Sequence, residues 1–264
     1  MTMKTLLLID ADMYVYQVAA AGQTDVEFDG VPMSTSDFTT CLTNFDYLID
    51  DVMEKMEADQ FILALSDPKG GNFRKGVLPT YKHGRVGLTS PLVRRQMEEY
   101  LIERRGAKTK PGLEGDDILG IWSTGSMYPG FHKIVVSGDK DMKTTVPGFH
   151  WNPRSDKPDV VTFVSEQAAN YGHMYQTLTG DYVDGYTGIP GIGPKKAEKI
   201  LADYKDMPDS KPMRLLMWRD VVRAYVSKGL EPEDALVQAR CARILRAEDY
   251  DFTKKRPILW SPPR

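Results

Sequence analysis

Three short apolar runs in the first half of the chain each end at an aspartate. They are "LLLIDAD", which reaches Asp10 and Asp12, "FILALSD", which reaches Asp67, and "IVVSGDKD", which reaches Asp139 and Asp141. Runs this short and this continuously apolar are typical of parallel strands that are covered on both faces of a sheet. The pattern therefore predicts strands near residues 4–10, 60–66 and 133–137.

The segments between these strands have apolar residues at helical spacing. Residues 36–57 open on a Ser/Asp cap, residues 90–105 place Ser90 as N-cap and Pro91 first in the helix, and residues 113–123 begin with acids. Beyond residue 165 the pattern predicts only short helices. We predict an α/β fold with a central, mostly parallel sheet flanked by helices. Residues 1–164 would form the catalytic core and residues 165–264 a helical region.

Composition adds limits on compartment and class. A chain of 264 residues with 41% apolar content can form a sizeable core. Its two cysteines, Cys41 and Cys241, are too few for a disulfide framework, which favours a reducing compartment. The start "MTMKTLLLIDAD" meets acid after four apolar residues, so it predicts no signal peptide, and no run approaches the ~20 residues of a membrane span. We expect a cytoplasmic monomer.

Acidic residues from several segments should converge at one edge of the sheet. In an open parallel sheet, ligands bind beyond the carboxyl ends of the strands, where the aspartates above arrive. The segments "EGDD" and "GDYVDG" contribute further acids; the candidates are Asp10, Asp67, Glu114, Asp116, Asp117, Asp139, Asp141, Asp181 and Asp184. A lone aspartate after a strand is usually a turn former or helix cap. Convergence of five segments instead favours a site for hard cations such as Mg²⁺ or Mn²⁺, because clustered carboxylates repel one another without a counter-charge.

The stretch "GIPGIGPKKAEKI", residues 188–200, predicts a second kind of contact. Pro194 follows Gly193 where a Walker phosphate loop would need lysine, so that reading fails. The pattern indicates a tight hairpin between two short helices, a helix-hairpin-helix over about 184–201. Gly191 and Gly193 would let backbone N–H groups approach phosphates, with Lys195 and Lys196 adding positive charge. A glycine turn before an exposed basic helix is the plainer interpretation of the same residues.

Taken together, these motifs resemble the 5′-nuclease or flap endonuclease family. "LLLIDAD", "SDPKGGNFRKGVLPTYKHGR", "LEGDDILG", "VVSGDKD" and "GDYVDGYTGIPGIGPKKA" occur in that family's order and spacing, over about residues 4–200. The compact length is most like a phage 5′→3′ exonuclease. The resemblance implies a 5′→3′ exonuclease with flap endonuclease potential, which hydrolyses phosphodiesters by a two-metal mechanism to give 5′-phosphates. Its substrates would be DNA with 5′ ends, nicks or flaps, with RNA–DNA hybrids as a further class.

The resemblance also implies roles for individual residues. The nine acids above match the carboxylates that hold two ions, whereas Asp12 falls outside the pattern and is interpreted as a helix cap. Arg74, Lys82 and Arg85 match basic residues at the arch and its base, which meet the scissile phosphate, and Tyr81 matches an aromatic position beside them. For the hairpin, Gly188, Gly191, Gly193, Lys195 and Lys196 are the DNA-contacting candidates, and in this family the hairpin often also binds K⁺. Setting the nine acids aside changes the formal charge from −3 to +6, so the remaining surface is basic.

Two other classes remain open from the sequence. A haloacid-dehalogenase phosphatase also begins with a strand and Asp-x-Asp, but it has no use for the hairpin. An inactive DNA-junction binder on the same fold would usually have lost acids.

The arch region, about residues 82–100, looks short. Gly84, Gly87 and the start at Ser90–Pro91 indicate a loop before a single helix.

Overall fold

A five-stranded sheet forms the centre of the molecule. The computed structural model describes residues 3–155 and 160–263, apart from positions 86 and 88. The sheet order is β4-β1-β5-β6-β7, in which the first four strands are parallel and β7 is antiparallel to β6. Its strands are β1 (Lys4–Asp10), β4 (Gln60–Ala64), β5 (Phe131–Val136), β6 (Gly148–Trp151) and β7 (Thr162–Val164). This confirms the predicted α/β class, including all three predicted strands.

Helices cover both faces of this sheet and also build the C-terminal part of the chain. They are, in chain order, α1 (Ala11–Ala21), α2 (Phe38–Lys55), α3 (Arg94–Arg104), α4 (Gly115–Thr124), α5 (Met142–Thr145), α6 (Glu166–Thr179), α7 (Pro194–Ile200), α8 (Lys211–Val226) and α9 (Pro232–Ala242). Successive side chains of β1 point to opposite faces. Leu7 and Ile9 pack with α1, α2 and α3, whereas Leu6 and Leu8 pack with α4. The alternating side chains of the apolar strand β1 therefore contribute to two separate hydrophobic cores, one on each face of the sheet.

The C-terminal part has a core of its own and also returns to the sheet. Apolar residues of α6, α7, α8 and α9 form a third cluster around the fully buried Tyr225. After α9, Ile244, Leu245 and Tyr250 join α4 in the core beneath Leu6 and Leu8. The short strands β8 (Tyr250–Asp251) and β9 (Arg256–Pro257) then pair with each other, so the prediction of no strand after residue 165 was wrong there.

Two further local predictions need correction. An exposed antiparallel hairpin, β2 (Gln23–Phe28) with β3 (Val31–Ser36), follows α1, where no strand was predicted. Its apolar side chains are not buried, so they show no core-facing pattern. The third helix begins at Arg94 with no side-chain cap, rather than at Ser90 and Pro91. Leu92 donates its N–H to Gln23 Oε1 (3.1 Å) and Val93 is buried, so tertiary contacts hold this turn outside the helix.

The segment between α6 and α7 is a loop rather than a helix. Asp181 and Tyr186 exchange backbone hydrogen bonds (2.7 and 3.1 Å), which closes a tight turn, and α7 begins only at Pro194. The helix-hairpin-helix predicted over 184–201 therefore stays a prediction, with one clear helix on its C-terminal side. Among the described residues, none of the helices combines the length and apolarity that crossing a membrane requires.

Candidate active site

A cavity of about 390 Å³ opens at the carboxyl edge of β1 and β5. Eight acidic and four basic residues line it: Asp10, Asp12, Glu114, Asp116, Asp139, Asp141, Asp181, Asp184, Arg74, Lys82, Arg94 and Lys140. Seven of these acids come from the nine that the sequence singled out, and they reach the cavity from four segments of the chain. The structure therefore brings these seven together around one negatively charged space.

Asp10 lies at the tip of β1 and serves two neighbours. Its carboxylate caps α1 by accepting the N–H of Met13 (3.2 Å), and it accepts the Oγ–H of Ser137 (3.0 Å) from the end of β5. Burial, and then the charge of Asp12, raises the pKa of Asp10 to about 7. Burial also raises the pKa of Asp116 well above its usual range, with Asp10 and Asp139 adding to the shift. Both carboxylates therefore need a nearby positive charge to stay ionised.

Asp139 and Asp141 are held in the loop after β5 by a chain of hydrogen bonds. Ser137 Oγ accepts from Asp139 N (3.1 Å), and Asp139 Oδ1 accepts from Asp141 N (2.7 Å). Gln176 of α6 donates its side-chain amide to Asp141 Oδ2 (2.6 Å). Burial, and next the charge of Asp139, raises the pKa of Asp141 to about 6. The loop thus presents its acids towards the cavity even though they repel each other.

Asp181 and Asp184 enter from the turn after α6. Asp181 Oδ1 accepts the N–H groups of Val183 (2.8 Å) and Asp184 (3.2 Å), so the turn is organised by the side chain itself. Lys140 approaches Asp181 Oδ2 at 3.7 Å across the cavity mouth. This turn brings the C-terminal part of the chain to the edge of the sheet.

Lys82 faces these acids from the other side of the cavity. Its Nζ forms an ion pair with Glu114 and lies 3.6 Å from Asp184 Oδ2, while its backbone N–H donates to the carbonyl of Asp184 (2.7 Å). The φ of Lys82 is 53°, a left-handed conformation that costs a non-glycine residue energy. Burial acts to raise the pKa of Glu114, but Lys82 and then Arg74 outweigh it and lower that pKa to about 2. The hydroxyl of Tyr81 contacts Glu114 Oε2 (3.0 Å) and Asp184 Oδ2 (3.1 Å).

Three predicted site residues, Arg74, Asp67 and Asp117, form hydrogen bonds within the protein and stay predictions. Arg74, with 2% of its surface exposed, donates to both oxygens of the fully buried Asp117 (2.7 and 2.8 Å) and to the carbonyls of Cys241 and Arg243 (3.0 and 2.6 Å). Asp117 also accepts from Leu245 N (3.1 Å) and closes a capping box with Glu114. Asp67 accepts from Gly112 N (2.8 Å) and Lys69 N (3.0 Å) and lines the neighbouring cavity. Neither Asp67 nor Asp117 lines the acidic cavity.

The predicted DNA-contacting residues lie on the loop before α7 and at its first turn. Gly191, at φ 78°, and Gly193 have no atom within 4 Å of where a Cβ would stand, so their backbone is open to a partner. Gly188 is packed against the end of α6 and donates its N–H to Gln238 Oε1 (2.8 Å). Lys195 and Lys196 are exposed, and Lys196 Nζ donates to the carbonyl of Gly191 (2.8 Å). The side chain of Arg85 lies outside the part of the chain that the structure describes.

Sequence reasoning missed several residues of the cavity. Asp12 does not cap α1, which Asp10 does. It lies in the first turn of α1, accepts the N–H (2.9 Å) and Oγ–H (2.6 Å) of Ser66, and so joins α1 to the loop after β4. Ser137, Lys140 and Gln176 also contact its acids. Ser137 and Lys140 stand inside "VVSGDKD", so the motif itself could have indicated that they lie beside the acids. Gln176 lies on a helix with no local signal for its role.

The donor chemistry of this cavity fits hydrated hard cations. Its lining holds carboxylates and one cysteine, Cys241, whose thiol pKa is raised to about 11 by burial. The ligands that it offers are therefore carboxylate oxygens, which suit Mg²⁺ or Mn²⁺. Within residues 3–155 and 160–263 as described, no three acidic, histidine or cysteine side chains converge tightly enough to form a ready-made ion site. Repulsion between like charges and the bonds to Lys82, Ser137 and Gln176 account for the spread. Because Mg²⁺ keeps several of its waters, it requires only a few direct ligands.

Comparison with known proteins places this site in a family. Residues 5–171 match the family described as "5′-3′ exonuclease, N-terminal resolvase-like domain". The chain belongs to the 5′-3′ exonuclease family. As a member of this family it is a nuclease, as the sequence predicted, and the phosphatase alternative is excluded.

The relatives of this 5′-3′ exonuclease family member extend over most of the chain. The exodeoxyribonuclease of Enterobacteria phage T3 is 26% identical, covering 98% of this chain and 93% of that protein. The 5′-3′ exonuclease of Aquifex aeolicus is 26% identical over 97% of this chain and 89% of its own length. The flap endonuclease Xni of Aeromonas hydrophila is 26% identical over 70% of this chain and 72% of its length.

Solved structures share the fold. The bacteriophage T5 flap endonuclease, in a complex with DNA and metal ions, superimposes with a TM-score of 0.53 at 15% identity, covering 90% of this chain and 93% of that one. The T5 5′-exonuclease with bound zinc gives a TM-score of 0.53 at 16% identity. At this identity the likeness is one of fold.

Proposed function

We propose that this family member is a divalent-metal-dependent 5′→3′ exonuclease with structure-specific flap endonuclease activity. It hydrolyses phosphodiesters of DNA, and of RNA paired to DNA, to leave 5′-phosphates. One observation carries the proposal: seven acids from four segments line a single cavity together with Lys82, which pairs with two of them, Glu114 and Asp184. An inactive junction binder would have no need to keep this assembly.

The residues that would hold two Mg²⁺ or Mn²⁺ ions are those that line the cavity. They are Asp10, Glu114, Asp116, Asp139, Asp141, Asp181 and Asp184. Bound there, such ions would activate water and stabilise the charge on both the attacking and the leaving oxygen. Asp67 and Asp117 remain predicted ligands, but their oxygens already accept hydrogen bonds from Gly112 N and Arg74.

Lys82 has the position of a charge-stabilising group. Its ammonium pairs with Glu114 and Asp184, so it stands where the acids and a phosphate would meet. When phosphate enters, Lys82 can exchange a carboxylate for a phosphate oxygen and offset the negative charge that grows in the transition state. Tyr81 supports this arrangement because its hydroxyl lies within hydrogen-bonding distance of both Glu114 and Asp184. Arg85 is proposed to act beside it, at the phosphate.

Binding of the duplex is assigned to the loop before α7. The open backbone at Gly191 and Gly193, with Lys195 and Lys196, offers a grip on phosphates that does not depend on sequence. A K⁺ ion at this loop, as in the family resemblance, is part of the proposal. We place the enzyme, as a monomer, in the cytoplasm of a bacterium or a phage-infected host.

The test is the product pattern from matched substrates. A nicked duplex and a 5′ flap of about ten nucleotides, each labelled at the 5′ end, are incubated with Mg²⁺, with EDTA, and with EDTA followed by excess Mg²⁺. We expect mononucleotides or short 5′ oligonucleotides only where Mg²⁺ is present. Cleavage that persists in EDTA would contradict the metal assignment, and junction binding without cleavage in Mg²⁺ would favour the inactive binder.

Because the short arch orders a flap poorly, we expect single-turnover trimming at the nick to be faster than cleavage of the flap.

A further inference from the structure

The acidic cavity borders a larger groove. This groove has a volume of about 670 Å³ and shares Lys140, Asp141 and Gln176 with the acidic cavity. A third cavity, of about 450 Å³, shares Tyr81 and Lys82 with the acidic cavity and none of its lining residues with the groove. A chain-like ligand cut at the acids could extend from them into the groove.

The walls of the larger groove combine aromatic rings with positive charge. Tyr171 and Tyr175 lie one turn apart on α6, and Phe163 of β7, with 62% of its surface exposed, stands opposite. Three lysines, Lys140, Lys143 and Lys205, also line the groove, together with two acids, Asp141 and Glu198. The two tyrosines pack in part against the core of the C-terminal helices, so their rings are already ordered before a ligand arrives.

α5 packs closely against α6 beside the groove. A Cβ at Gly172 would overlap the carbonyl oxygen of Thr144 and stand 2.9 Å from its carbonyl carbon, so no larger residue fits there. Two small residues, Ala168 and Gly172, line the groove on the same helix as Tyr171 and Tyr175.

We infer that this groove, defined by Tyr171, Tyr175, Lys143 and Lys205, binds unpaired nucleotides of the substrate strand as they leave the acidic cavity. Flat rings beside cations are the combination that holds single-stranded nucleic acid, because every base can stack on an aromatic face while the backbone phosphates meet lysine. A duplex has no free base faces to offer. The lysines and the continuity with the acidic cavity favour a nucleic acid over an apolar protein segment. The inference rests on the proposed nuclease function for the identity of the strand.

The experiment measures binding separately from cleavage. The full-length protein is titrated in Ca²⁺ against a ten-nucleotide single strand that carries 2-aminopurine, whose fluorescence is quenched by stacking, and against a blunt hairpin duplex. For Tyr171→Leu with Tyr175→Leu we expect single-strand binding about 10-fold weaker and loss of the quenching, with duplex binding unchanged. Tyr171→Phe with Tyr175→Phe keeps the rings and should bind within about 2-fold of wild type. Tyr47→Leu, which removes an exposed ring from α2, is the matched control.

A second pair of variants keeps the inference testable if the leucine variant does not fold. Lys143→Ala with Lys205→Ala should lower the slope of log affinity against log salt by about 1.4 for the single strand, since each contact contributes about 0.7. Lys228→Ala with Lys254→Ala removes two exposed lysines elsewhere and should leave the slope unchanged. Unchanged single-strand binding in both groove variants overturns the inference, and so does an equal loss for the duplex.

The two proposals fail in different ways. If the groove variants bind the single strand like wild type while wild type cleaves with Mg²⁺, only the groove assignment is lost. If wild type cleaves nothing but the leucine variant still loses stacking, the groove assignment stands and the nuclease function is lost.

Discussion

Replacing Arg74 decides whether this residue acts on phosphate or holds the fold together. Arg74 is almost wholly buried, donates to both oxygens of Asp117, and also donates to the carbonyls of Cys241 and Arg243. Removing one partner of a buried pair leaves the other charge uncompensated, at a cost of about 3–5 kcal/mol. For a chain of this size, about 2–4 °C per kcal/mol predicts that Arg74→Met melts about 6–20 °C lower.

A double-mutant cycle separates the ion pair from the rest. Arg74→Met with Asp117→Leu removes both charges, so it should be less destabilising than the sum of the single changes by about 1–3 kcal/mol. It should not reach wild-type stability, because the carbonyls of Cys241 and Arg243 still lose their donor. Urea unfolding followed by circular dichroism measures each free energy of unfolding.

The matched control is an exposed pair of the same geometry. Arg105 Nη2 lies 2.7 Å from Asp46 Oδ2, the same distance as Arg74 Nη2 from Asp117 Oδ1, but its side chain is 45% exposed rather than 3%. Arg105→Met should cost no more than about 1 kcal/mol. If Arg74→Met melted within about 2 °C of wild type yet lost cleavage about 100-fold, Arg74 would be catalytic and the structural reasoning wrong.

Three other substitutions test the remaining parts of the site. Lys82→Ala should lower single-turnover cleavage by about 100-fold with little change in DNA affinity, and an equal loss in both would make Lys82 a simple anchor. Lys195→Ala with Lys196→Ala should reduce the salt slope of duplex binding by about 1.8 while cleavage at saturating enzyme is kept; an unchanged slope would remove this loop from the DNA interface. Gly172→Ala should cost about 1–3 kcal/mol in a urea titration and slow cleavage, because α5 must move away from α6. Gly76→Ala, which meets nothing within 4 Å, is the control, and equal effects of the two would refute the packing argument.

The parts of the fold that sequence predicted are those where burial and chemistry coincide. The strands ending at Asp10 and Asp139 are continuous apolar runs, so both their location and their shared edge followed from pattern alone. The exposed hairpin after α1 could not be predicted in this way, since Val26 and Phe28 are not buried and its polar residues give no core-facing period.

The residues of the site show the same difference between local sequence patterns and contacts made far along the chain. The cavity acids could be named because each stands in a short local motif, but Arg74 could not be distinguished from Lys82, since both are basic residues near the same segment. Their difference lies in partners far along the chain, such as Asp117 and Arg243, which are 43 and 169 positions from Arg74. Likewise, Asp12 looked like a cap because its true partner, Ser66, lies 54 positions along the chain.

The return of residues 241–250 to the sheet means that the core is completed only after this segment has been synthesised. Until Cys241, Arg243 and Leu245 emerge, the pair of Arg74 and Asp117 lacks several hydrogen-bond partners and the face beneath Leu8 lacks part of its cover. At about 5–20 residues per second, the stretch from residue 171 to residue 250 takes about 4–16 s to translate. Throughout that interval the nascent chain carries uncovered apolar surface, so the core beside the acidic cavity is complete only once residue 250 has been made. A chain interrupted before residue 241 would therefore lack this cover and would be prone to aggregate.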